Sequence, residues 1–213
     1  MRDLLVRDSR VRGVRVLVAT GALAGLLAGC GIRATQVPTD FGPAPSMVPC
    51  ELSVTDLATQ TATPAGMPVE VFLLCSGALV RVNRSVAVAE GTEEAGRRVA
   101  VAQGLLDALA TDLSDVEGEA GYTTAVPAGL AVTGPRPGDP EDALRLSTAP
   151  DSLPKYALAQ IVCTFADSAA AGDNGSVALG STSAESLRRY ECTPEVQSDP
   201  GAGNPPSTEV RGS

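Results

Sequence analysis

The sequence holds no histidine and no tryptophan, a single lysine (Lys155), and only 3% aromatic residues. Without histidine, neither a Ser-His-Asp nor a Cys-His nucleophile can be assembled. A histidine-ligated zinc site is excluded for the same reason. No two cysteines fall in a CxxC spacing, which argues against a thioredoxin-like motif or a zinc ribbon. The sequence calls for no cofactor, and carboxylate chemistry is what remains open. With aromatics so few (Phe72, Tyr122, Tyr156, Phe165 and Tyr190 across the central span), a core has to be built from Val, Leu and Ala. A long apolar run is missing too. The uncharged stretch Val16–Gly29 is 14 residues, and a membrane-spanning helix needs roughly 20.

What the N-terminus does have is the layout of a signal peptide. Arg2, Arg7, Arg10, Arg12 and Arg15 form a basic segment ahead of VLVATGALAGLLAG. That apolar segment ends in Leu27-Ala28-Gly29-Cys30, which resembles the lipobox of bacterial lipoproteins at all four positions. The resemblance implies cleavage before Cys30 and transfer of diacylglyceryl to its thiol. Two or more acyl chains anchor stably, because each buried methylene contributes about 0.8 kcal/mol. No adjacent Arg-Arg pair precedes the apolar segment, so the general secretory route is expected rather than the twin-arginine one.

The full chain carries 16 basic and 25 acidic residues, a net charge of −9. Removing residues 1–29 takes away five arginines and two aspartates and leaves 11 basic and 23 acidic, net −12. A domain so acidic is repelled by nucleic acid and by anionic lipid. Attachment to the membrane is therefore expected through the lipid, with no nucleic-acid partner. If Cys30 is lipidated, Cys50, Cys75, Cys163 and Cys192 remain. An even number in an exported domain reads as two disulfides with three possible connectivities. The least extended pairing joins Cys50 to Cys75 and Cys163 to Cys192.

Four regions are expected: a signal peptide (1–29), a lipid-anchored, proline-rich tether (30–49), a folded α/β domain (50–196) and a disordered C-terminal tail (197–213). The tether holds Pro38, Pro43, Pro45 and Pro49; the tail holds Pro200, Pro205 and Pro206 and little to bury. Within the domain, Val69–Cys75 and Leu79–Val88 read as strands joined by a Ser76-Gly77 turn. Thr92–Ala110 reads as a helix capped by Thr92, with Val99, Ala102, Leu106, Leu109 and Leu113 as its buried stripe. Tyr122–Val126, Leu130–Thr133 and Ala143–Ser147 read as short β segments, with a turn-rich loop at Pro135–Pro140. A second helix is expected from about Leu153 to Ser168, capped by Ser152, with Leu158, Ile161, Val162 and Phe165 buried. At about 100° per residue, Cys163 falls well off that stripe. This favours its pairing with Cys192 on a segment crossing the helix's flank. The fold class is α+β: a small, mostly antiparallel or mixed sheet with two main helices packed on it.

Four stretches carry a resemblance to a known family: LVRVNRSV (Leu79–Val86), GLLDALA (Gly104–Ala110), GYTTAVPAGLAVTG (Gly121–Gly134), and LRLS with YALAQIVCTFADS (Leu144–Ser147 and Tyr156–Ser168). With them, residues 68–180 resemble the GerM-type domain of sporulation and germination proteins and of many actinobacterial lipoproteins. Arg84 stands at the family's arginine after the strand. The family's usual Gly-Pro segment after the first helix is replaced here by Asp112–Glu119. With GIRATQVPTDFGPAPSMVPCE included, the chain is similar to the CseA group of actinobacterial lipoproteins. That resemblance implies a negative modulator of an envelope-stress sigma-factor and two-component system, acting outside the membrane.

Other candidate sites are weaker. The acids Asp112, Asp115, Glu117 and Glu119 carry ligand oxygens for a hard cation but no EF-hand pattern, and read better as a solvated loop. Gln160 and Thr164, on an otherwise apolar helix, read as hydrogen-bonded polar groups of the core or as a recognition patch, and the core reading is the favoured one. The expected function is thus a binding or regulatory module without catalytic residues. Its expected partner is the extracellular part of a sensor kinase or another envelope component. The alternatives are a carboxylate-dependent glycan hydrolase, which needs two acids facing each other across a cleft, and a cell-wall-binding accessory protein.

Overall fold

The computed structural model describes residues 50–51, 66–86, 94–183 and 186–210, which fall in one compact unit, Pro45–Ser213. The first two strands, β1 (Met67–Cys75) and β2 (Ala78–Val86), pair antiparallel over their whole length, from Met67 opposite Val86 to Cys75 opposite Ala78. Ser76 and Gly77 close this hairpin with φ of 51° and 85°. Both are left-handed, as the right-handed twist of the strands demands of a two-residue turn. Leu74 and Cys75 also pair with Thr123 and Tyr122 of β3 (Tyr122–Thr123), completing a three-stranded sheet in the order β2-β1-β3.

The second sheet has five strands in sequence order: β4 (Val132–Thr133), β5 (Ala143–Leu146), β6 (Val177–Ser181), β7 (Leu187–Tyr190) and β8 (Ser207–Val210). All its pairs are antiparallel except β5 with β6. A parallel pair needs a long crossover, and here it contains the helix α3 (Lys155–Ala166). The α+β class and the mixed, mostly antiparallel pairing hold. The strands, however, divide between two sheets, and the segments flanking Pro127–Gly129 go one to each.

Helix α3 lies at the centre. Every residue from Ala157 to Phe165 is buried, as expected when a helix is covered on all sides. Leu158, Ile161, Val162 and Phe165 are fully buried in the main core. Its start differs from the capped Leu153 start read in the sequence. Pro150–Ser152 forms a separate 3-10 turn, and Leu153 is extended with ψ 148°. The ring of Pro154 disfavours helical geometry in the residue before it. Pro154 itself is the N-cap, and Ser152 caps nothing.

Helix α1 (Glu94–Ala110) buries Ala102, Leu106 and Leu109 as its stripe predicts, and adds Val101 and Leu105. Val99 and Leu113 pack on the core half-buried. Gly104 lets this helix lie against β2, since a Cβ there would sit 3.2 Å from the Cβ of Val86. Thr92, the expected cap, and residues 87–88, the expected strand end, lie outside the described residues.

Two segments read as unstructured are ordered. The acidic run contains a helical turn, α2 (Asp115–Glu119). The region read as a disordered tail, 197–213, continues the fold as far as residue 210. It ends the short helix α4 (Pro194–Ser198) and supplies β8, paired with β7 from Leu187 opposite Val210 to Tyr190 opposite Ser207. Pro200 and Pro205 are buried. Gly201 lies against the Tyr156 ring, so that a side chain there would have to push the ring aside.

Candidate functional site

Cys30 and the lipobox residues Leu27, Ala28 and Gly29 lie outside the described residues, as do the tether residues 31–49. The other four cysteines form two disulfides, Cys50–Cys75 and Cys163–Cys192. The first ties the start of the domain to the end of β1. Around it, the Cys50 N–H donates to Ala120 O at 3.0 Å, and the Tyr122 hydroxyl donates to Cys50 O at 2.7 Å. Burial, and then the carboxylates of Glu117 and Glu51, push the Tyr122 phenol above its ordinary range, so it remains a donor. The second disulfide joins α3 to the chain after β7. Cys163 is fully buried away from the main core, in a cluster with Phe72, Leu79, Ala159 and Val196. Its position off the main stripe of α3 thus fits the partner it has.

Gln160 and Thr164 join α3 to β1. Thr164 Oγ1 accepts from Phe72 N at 3.0 Å, and Gln160 Nε2 donates to Phe72 O at 2.9 Å. Gln160 Oε1 also accepts from Ala125 N at 2.8 Å. Two polar side chains with no exposure therefore satisfy backbone groups that no neighbouring strand reaches, in line with the core reading.

The acidic run is a different matter. Asp112, Asp115 and Glu119 are exposed, but Glu117 is 2% exposed and points inward. Its carboxylate accepts from Arg84 Nε at 3.2 Å and Nη2 at 2.9 Å. It also accepts from the Ser114 N–H at 2.8 Å, while the Ser114 hydroxyl caps the Glu117 N–H. Arg84 donates further to the carbonyl of Ala108, at the end of α1. One ion pair thus links β2, α1 and α2, and the solvated-loop reading fails at Glu117. The signal was present in the sequence: Ser114-Asp115-Val116-Glu117 is a capping box, which places the glutamate beside its own helix terminus rather than in solvent.

Two further arginine pairs went unread in the sequence. Arg145, 5% exposed, is held by both oxygens of Asp139 at 2.7 Å and donates to Ser181 O at 2.7 Å. Arg189 grips both oxygens of Asp142 at 2.7 and 3.1 Å and reaches the Ser176 hydroxyl at 3.2 Å. Hydrogen bonding to the guanidinium, first of all, holds the Asp139 and Asp142 carboxyls below their ordinary range. Strand alternation and register put Arg145, Gly180, Ala178 and Arg189 on one face of the five-stranded sheet, opposite the core. A Cβ on Gly180 would meet Leu187 at 2.8 Å and Arg145 at 3.3 Å. The loop 135–142 is thereby fastened over that face.

Two cavities bear on the carboxylate alternative. One, of about 410 Å³, is lined by Pro140, Asp142, Asn174, Ser176 and Arg189. The other, of about 300 Å³, opens beside the Pro150–Ser152 turn and has Asp151 as its acid. Among the described lining residues each holds a single carboxylate, and in the first that carboxylate is bound by Arg189. Among the described residues, no group of three or more Cys, Asp or Glu is placed to hold a metal ion. No described helix is long and apolar enough to cross a membrane. Comparison with protein-family models, with curated proteins and with solved structures finds no match.

Proposed function

We propose that this chain is a lipid-anchored, extracytoplasmic binding module of the GerM type that damps an envelope-stress signalling system by occupying one of its components. The observation that carries this reading is the division of its cysteines. Cys50, Cys75, Cys163 and Cys192 pair into two disulfides, and the fifth stands at the end of Leu27-Ala28-Gly29-Cys30. Disulfides persist where the environment is oxidising, which supports an exported domain. The lipobox cysteine then has a separate task, attachment. The net charge of −12 for residues 30–213 leaves that attachment to the acyl chains. The proposed partner is the extracellular part of a sensor kinase.

The anchor and the regulatory role are tested separately. Cys30→Ala moves the protein from the membrane fraction to the soluble one; retention in the membrane contradicts the anchor. Deleting the gene raises the output of an envelope-stress reporter, and unchanged output contradicts the regulatory role. Cross-linking from the domain in intact cells, followed by mass spectrometry, identifies the component it touches.

A further inference from the structure

The cavity beside the Pro150–Ser152 turn has a lining that the folding of the domain does not explain. It lies on the core-side face of the five-stranded sheet. Tyr190, Arg188 and Leu179 share that face, since Leu179 pairs with Arg188 and Arg188 and Tyr190 are two residues apart on β7. Tyr190 is only 2% exposed, and its hydroxyl makes no hydrogen bond to a described residue; it is not a sealed, unsatisfied atom, so it meets open space. A hydroxyl facing open space can donate to and accept from whatever enters it. Burial, and then the Asp151 carboxylate, raise the titration of this phenol, and the Arg188 guanidinium opposes them. Both of those charged groups line the same cavity, which places the hydroxyl at the cavity end of the ring.

The two charges do not pair with each other. Arg188 is positioned by Ser207, donating from Nε to its hydroxyl at 2.9 Å and from Nη2 to its carbonyl at 3.3 Å. That leaves Nη1 without a described partner. Neither Arg188 nor Asp151 makes an ion pair with a described residue. Elsewhere in the domain Arg84, Arg145 and Arg189 each have a carboxylate. A cation, an anion and a phenol thus line about 300 Å³ of space, at the small end of the range for ligand sites. A lone anion would leave Asp151 facing it, and a lone cation would face Arg188.

We propose that this cavity is a binding site for a small zwitterion of the free amino-acid class, its carboxylate on Arg188, its ammonium on Asp151 and the Tyr190 hydroxyl bonding one of them. The site goes beyond anchoring and partner contact: it gives the domain a small-molecule input.

The test is saturation-transfer NMR and calorimetry on the purified full chain, using the common amino acids singly, glycine and both alanine enantiomers included. Sodium acetate and methylammonium chloride serve as single-charge controls. Saturable binding of at least one amino acid is expected, at least tenfold tighter than either control. Asp151→Asn and Arg188→Gln each weaken it at least tenfold. Tyr190→Phe weakens it about three- to tenfold while keeping the ring's packing, so melting temperature and near-UV circular dichroism stay at wild-type values. No saturable binding by any amino acid overturns the proposal. So does acetate binding as tightly as the amino acid, or a Kd unmoved by Asp151→Asn.

Discussion

Removal of the Glu117 side chain tests the reasoning about the acidic run most sharply. Glu117→Ala strips Arg84 of its carboxylate while the Arg84 side chain is only 11% exposed. Breaking a buried pair from one side leaves an uncompensated charge, at about 3–5 kcal/mol. The same substitution removes half of the capping box of α2, a loss of roughly 1 kcal/mol where it is independent. Both effects run through one side chain, so the expected total stays near 3–5 kcal/mol. For a domain of this size that lowers Tm by about 6–20 °C. The assay is urea unfolding under non-reducing conditions, followed by circular dichroism, on wild type, Glu117→Ala, Arg84→Met and the double variant Arg84→Met/Glu117→Leu. Removing both charges together leaves none buried, so the double variant is expected to be more stable than Glu117→Ala. A loss below about 1 kcal/mol for Glu117→Ala, or a double variant losing the sum of the singles, would refute the inward, load-sharing role given to Glu117.

Other outcomes follow from the same contacts. Asp139 and Asp142 are held deprotonated by Arg145 and Arg189, so their folded-state pKa values lie below the unfolded value of roughly 3.9. Their contribution is complete above that value and lost as pH falls through the folded values; acid titration of stability below about pH 4 should therefore be shallower in Asp139→Asn and Asp142→Asn than in wild type. Each disulfide closes a span of 25 or 29 residues, and loop entropy puts its removal at about 3.5 kcal/mol; paired Cys→Ser variants measured by urea unfolding check this. Gln160→Leu leaves Phe72 O and Ala125 N without their partner, a loss of about 1–3 kcal/mol for each buried group in the same assay. Truncation after Ser198 removes the β7–β8 hydrogen bonds and the bond from Glu191 N to Pro206 O, each contributing roughly 0.5–1.5 kcal/mol; a truncated chain as stable as wild type would show that β8 contributes nothing.

Local signals carried much of the fold. The Ser76-Gly77 turn and the apolar stripes of α1 and α3 are each encoded within a few residues, and each lies where the sequence puts it. The disulfide pairing was favoured by an angular argument on α3, and Cys163 does sit off the main core beside Cys192. What could not be read depends on partners distant in the chain. β8 is four residues with a weak pattern, and becomes a strand because β7 offers it an edge. Glu117 looked solvated because its neighbours are charged; its burial depends on Arg84, 33 residues away. Arg188 and Asp151 are 37 positions apart, and no local spacing brings them to one cavity.

The central claim is that Cys30 carries the lipid while the remaining cysteines staple the domain. Intact mass spectrometry of the protein extracted from membranes, with and without reduction, tests it most directly. The account predicts a mass for residues 30–213 plus a diacylglyceryl group, rising by four hydrogen atoms on reduction of the two disulfides, with the acyl mass located on Cys30. An unmodified Cys30, a chain retaining residues 1–29, or a free thiol among Cys50, Cys75, Cys163 and Cys192 would contradict it.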